Sequence, residues 1–263
     1  MGGAQGIGLA LTRRLVEERM HVVVADSDEL ALSRNVDPLG STVSTYVVDV
    51  SDSAGVEQIG REVFERFGAV HLLYNGAAIT SRGNVWDFSL DQWHLMVGVN
   101  LFGVINGLHT FVPRMLDQDE GHIVNMVSVA GLLTFGGSTP YATTKKAVLG
   151  LSEGLWHELR HHGSALGVTA VMPGRVNTQI HANSRRVGMP WPSLPDGSPD
   201  EHTVAIGDSA SPEEIATIII DAVRSNTFYA ITHRNEAWSE VFSAYFDALI
   251  DGRAPSMVKP PVV

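Results

Sequence analysis

There is no cysteine among the 263 residues, which excludes disulfides, thiolate metal sites and a cysteine nucleophile together. No uninterrupted apolar run approaches the ~18 residues of a membrane span. No basic n-region with an apolar core opens the chain, so neither an anchor nor a secretory leader is expected. Basic charge is scarce: 18 Lys and Arg stand against 29 Asp and Glu, for a formal net charge of −11. A broad basic face for nucleic acid is therefore not expected. Charged residues make up 18% of the chain and hydrophobic residues 44%, a globular composition and not a disordered one. Neither an internal repeat nor a dividing linker is visible. These exclusions leave a cytoplasmic protein with no membrane or nucleic-acid partner, folded as one large domain over residues 1–263.

Glycine is where the pattern starts. Gly2, Gly6, Ile7 and Gly8 belong to the run Gly-Gly-Ala-Gln-Gly-Ile-Gly, which leads straight into the helical spacing of Leu9 to Val16. Glycines that open a helix let backbone N–H groups approach a pyrophosphate at the positive end of the helix dipole. The strand His21–Asp26 then ends in an acid 18 residues past Gly8. A carboxylate at about that distance accepts both hydroxyls of an adenosine ribose and repels a 2′-phosphate.

Beyond it, strands at 43–50, 70–75, 121–127, 168–172 and 228–232 alternate with helices at about 28–35, 53–67, 90–117, 140–162, 212–225 and 238–250. Such alternation predicts an α/β fold, a doubly wound parallel sheet of the Rossmann-like kind. Ser211-Pro212-Glu213-Glu214 reads as a capping start. The proline- and glycine-rich stretch from about 179 to 211 reads as a loop facing substrate, and about 254–263 as a loosely ordered tail. Ligands of such sheets sit beyond the carboxyl ends of the strands. Gly2–Gly8, Asp26, Asp49, Asn75, Ser128 and Pro173-Gly174 all fall there.

The candidate chemistry lies in Ser138-Thr-Pro-Tyr-Ala-Thr-Thr-Lys145. Pro140 suits a first helical turn, with Ser138 or Thr139 as its cap. Tyr141 and Lys145 then share one helix face. A tyrosine of pKa near 10 becomes a base at neutral pH only if cations favour its phenolate. A downward shift of ~3 units takes roughly 4 kcal/mol. A bare Tyr-x-x-x-Lys pair is common on ordinary amphipathic helices. Ser128 lies thirteen residues before Tyr141, at a strand end. Asn100, inside the long helix, needs a polar partner if buried.

Together these motifs resemble the classical short-chain dehydrogenase/reductase family, NAD-preferring type, over nearly the whole chain. Gly2, Gly6 and Gly8 match its cofactor loop, Asp26 its NAD-preferring acid, and Asp49-Val50 its adenine-contacting pair. Asn100, Ser128, Tyr141 and Lys145 match its catalytic tetrad. Pro173-Gly174-x-Val176-x-Thr178 matches the segment that holds the nicotinamide carboxamide. The resemblance implies NAD as cofactor and no metal. It also implies a secondary alcohol or ketone as substrate, and a homodimer or homotetramer built on the helices 90–117 and 140–162. Tyr141 would move the hydroxyl proton, Lys145 would hold it accessible and bond the nicotinamide ribose, Ser128 would hold the substrate oxygen, and Asn100 would fix a relay water. The alternative is a non-catalytic dinucleotide sensor, or a truncated and inactive member, on the same fold.

Two departures stand out. The family strand that precedes the glycine loop is missing, so the strands ending at Asp26 and Asn75 should face each other at about twice the normal spacing of ~4.8 Å. The given start is therefore expected to lie inside a longer reading frame. The family's Asn-Asn-Ala-Gly is here Asn75-Gly76-Ala77-Ala78, and with the second asparagine the cross-sheet bond is expected to go.

Several side groups read more plainly. His157, His161 and His162 form a solvated helix face. Arg82, Arg175, Arg185 and Arg186 read as surface residues, with a substrate carboxylate as the alternative. Trp86, Phe88, Leu132, Leu133, Phe135, Met189 and Trp191 flank the expected site and suggest an apolar or alicyclic substrate.

Overall fold

The computed structural model describes residues 1–134, 136–191, 209–233 and 235–255. Phe135, most of the 179–211 stretch and nearly all of the expected tail lie outside the described residues.

Helix α1 (Gly6–Glu17) leads to β1 (Val22–Asp26), and a run of short helical segments from 29 to 39, where a short helix was expected, leads to β2 (Val43–Val47). Helix α2 (Ser53–Phe67) is opened by the Asp52 carboxylate, which accepts the Ala54 N–H at 3.1 Å, and closed by Gly68 at φ +80°. Then come β3 (Leu72–Asn75), the long helix α3 (Leu90–Gln118) and β4 (His122–Met126). Helix α4 (Thr139–His161), β5 (Gly167–Met172) and the short helix α5 (Ile180–Arg186) follow. The described chain ends with α6 (Pro212–Arg224), β6 (Tyr229–Ile231) and α7 (Glu236–Ile250). Ser211 and Glu214 form the expected capping box at the start of α6.

All strands are parallel, in two ladders, β1–β2 and β3–β4–β5–β6. As expected, β1 and β3 do not pair. Met1 and Gly2 sit between their carboxyl ends: Gly2 N–H donates to Ala25 O at 2.7 Å and Gly76 N–H to Met1 O at 3.0 Å. Helices cover both faces. Val56, Ile59, Val63, Phe64, Phe111 and Val148 on α2, α3 and α4 pack on one, while Leu11, Leu15, Ile215 and Ile219 on α1 and α6 pack on the other. By length and mean apolarity α3 would cross a membrane; half of that stretch is buried here, with Val104, Leu108, Phe111 and Met115 in the core.

Two elements differ from the sequence reading. Strand β2 stops at Val47, because Asp49 turns the chain by accepting the Ser51 N–H at 2.9 Å. Helix α5 lies inside the stretch expected to be loop. It has no apolar stripe of its own and is held by Ser184, whose hydroxyl donates to Ile180 O at 2.6 Å and accepts the Thr80 N–H at 2.9 Å.

Candidate active site

Parallel β4 delivers Ser128 to the carboxyl edge of the sheet. Its Oγ donates to Pro173 O at 3.3 Å and accepts the Ala130 N–H at 3.2 Å. Helix α4 starts on the same edge and brings Tyr141 close enough to Ser128 for the serine hydroxyl to favour the phenolate. Ser138 is the N-cap but makes no capping bond; its hydroxyl instead donates to Ser81 O at 2.8 Å and pins the start of α4 to the segment after β3.

Lys145 is only 2% exposed, and its ammonium donates to Met126 O at 2.7 Å while lying 5.7 Å from the centre of the Tyr141 ring. Burial dominates both groups. It pushes the Lys145 ammonium down to about 7, and it pushes the Tyr141 phenol up, partly opposed by Ser128. Lys145 lies over the Tyr141 ring and bonds a carbonyl, and burial leaves the phenol raised, so the lysine and a second positive charge are both needed to bring it down.

Asn100 is fully buried in a wide turn of α3, the π-helical stretch Gly98–Phe102. Its Oδ1 accepts the Ile79 N–H at 2.8 Å, and its Nδ2 donates to Ile79 O at 2.9 Å and Thr144 Oγ1 at 3.1 Å. The amide therefore clamps the segment after β3 to α4 beside Lys145. Tyr141 packs against the buried cluster of Ile79, Phe88, Met96 and Met189, as do Trp93, Leu95 and Val99. Leu132 and Leu133 pack instead against Trp238 and Val241 of α7, while Trp86 is 78% exposed. Trp191 lies over His181, ring centres 4.3 Å apart.

At the dinucleotide end, Gly2 (φ +74°) and Gly6 (φ +52°) take conformations that side chains disfavour. A Cβ on Gly8 would lie 1.9 Å from Gly2 O, so the loop folds back tightly on itself. Gln5, the N-cap of α1, makes no capping bond, which leaves the first N–H groups of that 12-residue helix for a ligand. Asp26 accepts the Ala4 N–H at 3.0 Å and the Asp28 N–H at 3.1 Å. Thr178 lies against Gly6, Val176 bridges to Ala210, and Ile7 is half-buried against the α1–α6 core. Val50 is buried beneath Gly103, and its carbonyl accepts from Asn106 at 2.9 Å. The uncapped start of α1 and the positive-φ glycines before it have the chemistry to receive a pyrophosphate.

Gly76 has no side chain to bond across the sheet, as expected, but Asn75 beside it makes a cross-sheet bond of its own. Asn75 Nδ2 donates to Asn125 Oδ1 at 2.9 Å, and Asn125 donates on to Ser152 Oγ at 3.0 Å. A Cβ at Gly76 would lie 2.1 Å from the Tyr74 ring. Sequence reasoning missed Asn125 and Ser152. A polar residue inside the wholly buried His122–Met126 strand, and a serine seven residues past Lys145 on one helix face, were the available signals.

A family model described as short chain dehydrogenase matches residues 1–187. The chain therefore belongs to the short chain dehydrogenase family and is an oxidoreductase of that family. It is 31% identical over 268 residues to a C alpha-dehydrogenase of Sphingobium sp., covering 98% of this chain and 87% of that one. A crystal structure of a short chain dehydrogenase/reductase from Burkholderia phymatum in complex with NAD superposes with a TM-score of 0.87. It is 34% identical and covers 97% of this chain and 94% of its own. The apo form of LigD from Sphingobium sp. superposes with a TM-score of 0.78 at 29% identity, covering 97% of this chain and 96% of that one.

Proposed function

We propose that the protein is an NAD-dependent oxidoreductase that interconverts a secondary alcohol and a ketone, with Tyr141 as general acid and base. The observation that carries this reading is the convergence of Ser128, Tyr141 and Lys145 on one strand edge, with Asn100 clamped behind them. Gly2, Gly6, Ile7, Gly8, Asp26, Asp49, Val50, Asn75, Val176 and Thr178 are the residues that would hold or frame the dinucleotide. When bound, it would supply the hydride acceptor and a second positive charge near the phenol.

In the oxidation direction Ser128 holds the substrate oxygen within reach of Tyr141, and the Tyr141 phenolate takes its proton. Burial raises the pKa of Tyr141, so this base works only once cationic charge outweighs desolvation. Lys145 supplies part of that charge and bonds the nicotinamide ribose. Asn100 keeps the wall of the site and α4 in register, and fixes the water that passes the proton on from Lys145. The apolar wall of Ile79, Phe88, Met96 and Met189 favours an apolar or alicyclic substrate.

The same reading takes residues 1–263 as one cytoplasmic domain that assembles as a homodimer or homotetramer. Exposed Phe102 on α3 and Trp156 on α4 suit that assembly. The test is Tyr141→Phe. Turnover on a panel of secondary, cyclic and aromatic alcohols should fall at least ~10²-fold, while NADH binding followed by fluorescence stays near the parent value. Near-normal turnover would sink the assignment, and NADH binding by a parent chain that turns over no alcohol would favour a sensor.

A further inference from the structure

A closed ring of polar contacts ties α5 to the dinucleotide end of the sheet. Gln5 Nε2 donates to Asp28 Oδ2 at 2.9 Å, and Arg186 Nη1 donates to the same oxygen at 3.1 Å. Arg186 Nη2 donates to Asn183 Oδ1 at 2.8 Å, and Asn183 Nδ2 donates to Gln5 Oε1 at 3.2 Å. Three elements far apart in sequence meet here: the glycine loop, the turn after β1 and α5. Asp28 is preorganised for this, because its other oxygen caps the following turn by accepting the Ala31 N–H at 2.9 Å.

The two sides of α5 are held differently. Toward the Tyr141 side, Ser184 is buried and bonded to Thr80, and the following residues are tied by Arg82 N–H to Pro190 O at 3.0 Å, with Met189 in the apolar wall. Toward the glycine loop, the four-residue ring joins α5 through Asn183 and Arg186, and Arg186 is 64% exposed. A helix anchored by burial on one edge and by solvated polar bonds on the other opens at the solvated edge first.

We propose that Gln5, Asp28, Asn183 and Arg186 form a clasp that closes α5 over the adenosine-ribose and pyrophosphate end of the bound dinucleotide and sets its rate of release. This rests on the dinucleotide reading above. The four are positioning residues and take no part in proton or hydride transfer.

The experiment measures NADH release from the parent, Asn183→Ala, Arg186→Ala and the double variant by stopped-flow displacement, with amide hydrogen exchange across residues 180–186. Each single variant should release NADH about 3–10-fold faster, the size expected when a few solvated polar contacts are lost. The double variant should be no faster than the faster single, because breaking any link opens the ring. Amides of α5 should exchange faster in all three, while the melting temperature of the cofactor-free chain stays put. Release rates equal to the parent's in both single variants, or additive effects in the double, would overturn the clasp and leave the dinucleotide reading standing. A parent chain that binds no NADH would overturn both.

Discussion

The two ladders of the sheet solve the same problem, the placing of polar groups at strand ends, by different means. In β3–β6 the work is done by buried side chains, some bonded to one another, as Asn75 to Asn125, Asn125 to Ser152 and Asn100 to Thr144, and some to backbone carbonyls, as Lys145 to Met126 O and Asn100 to Ile79 O. Strands β4 and β5 are buried at every position. In β1–β2 no residue of β2 is fully buried, and the placing is done by backbone N–H donors: Gly2 to Ala25 O, and Ala4 and Asp28 to the Asp26 carboxylate. The first ladder is fragile to the loss of a partner, since an abandoned polar group there has no water to turn to. The second is fragile to an added atom, since its geometry depends on glycines packed backbone to backbone.

The largest expected effect falls in the first ladder. Lys145→Met should cost ~10²–10⁴ in turnover and should also change the stability of the cofactor-free chain with pH. The folded pKa of Lys145 is about 7, below its ordinary value of 10.5. Between those values the unfolded chain holds a proton that the folded chain does not. Lys145 therefore adds a rise in stability with increasing pH over that window, and melting curves of Lys145→Met should lack it. Next comes Gly8→Ala at the start of α1, beside the second ladder. Its Cβ would meet a backbone oxygen that no side-chain rotation can move, so NADH affinity should fall about 10–100-fold through loop displacement. Turnover at saturating cofactor should be far less affected. Equal losses in both measures would blur the distinction between the ladders.

Most of this architecture was readable because each motif sits at a strand end, where a change from apolar run to glycine or polar residue is sharp. Tyr141 and Lys145, an ordinary helical pair by themselves, gain meaning from Ser128 at a strand end and Asn100 inside an apolar helix. What was hidden depends on contacts between distant segments. Helix α5 has no periodic face and is fixed by Thr80, 104 residues away from Ser184. The direction of the Tyr141 shift depends on burial, which spacing does not report. The Asn75–Asn125 bond forms because Asn125 stands opposite Asn75 in the parallel register.

A smaller effect should follow from Asn125→Ala, which leaves both Asn75 and Ser152 short of a partner in the core. The expected loss is about 2–3 kcal/mol of stability by denaturant titration. Asn75→Ala should cost less, because Asn75 Oδ1 has no partner among the described residues and is relieved by the change. The reverse order would mean that the network is anchored from the β3 side.

The smallest effect separates the two ends of the same ladder. At the amino ends of β4 to β6, away from the site, His122 Nε2 donates to Thr169 Oγ1 at 2.7 Å, and Thr169 donates to Thr227 O at 2.8 Å. Burial holds the His122 imidazole neutral and lowers its pKa to about 4 from 6.5. Between those values the unfolded chain binds a proton that the folded chain refuses, so this group makes stability fall as pH drops through the window and adds nothing further below about 4. His122→Gln keeps a donor toward Thr169 and removes the titration. At pH 5 the parent should have lost about 1–2 kcal/mol relative to pH 7 that the variant retains, with NADH release unchanged. A change in release would mean that the amino ends of the strands communicate with the dinucleotide end, and the division of labour along the strands would have to be given up.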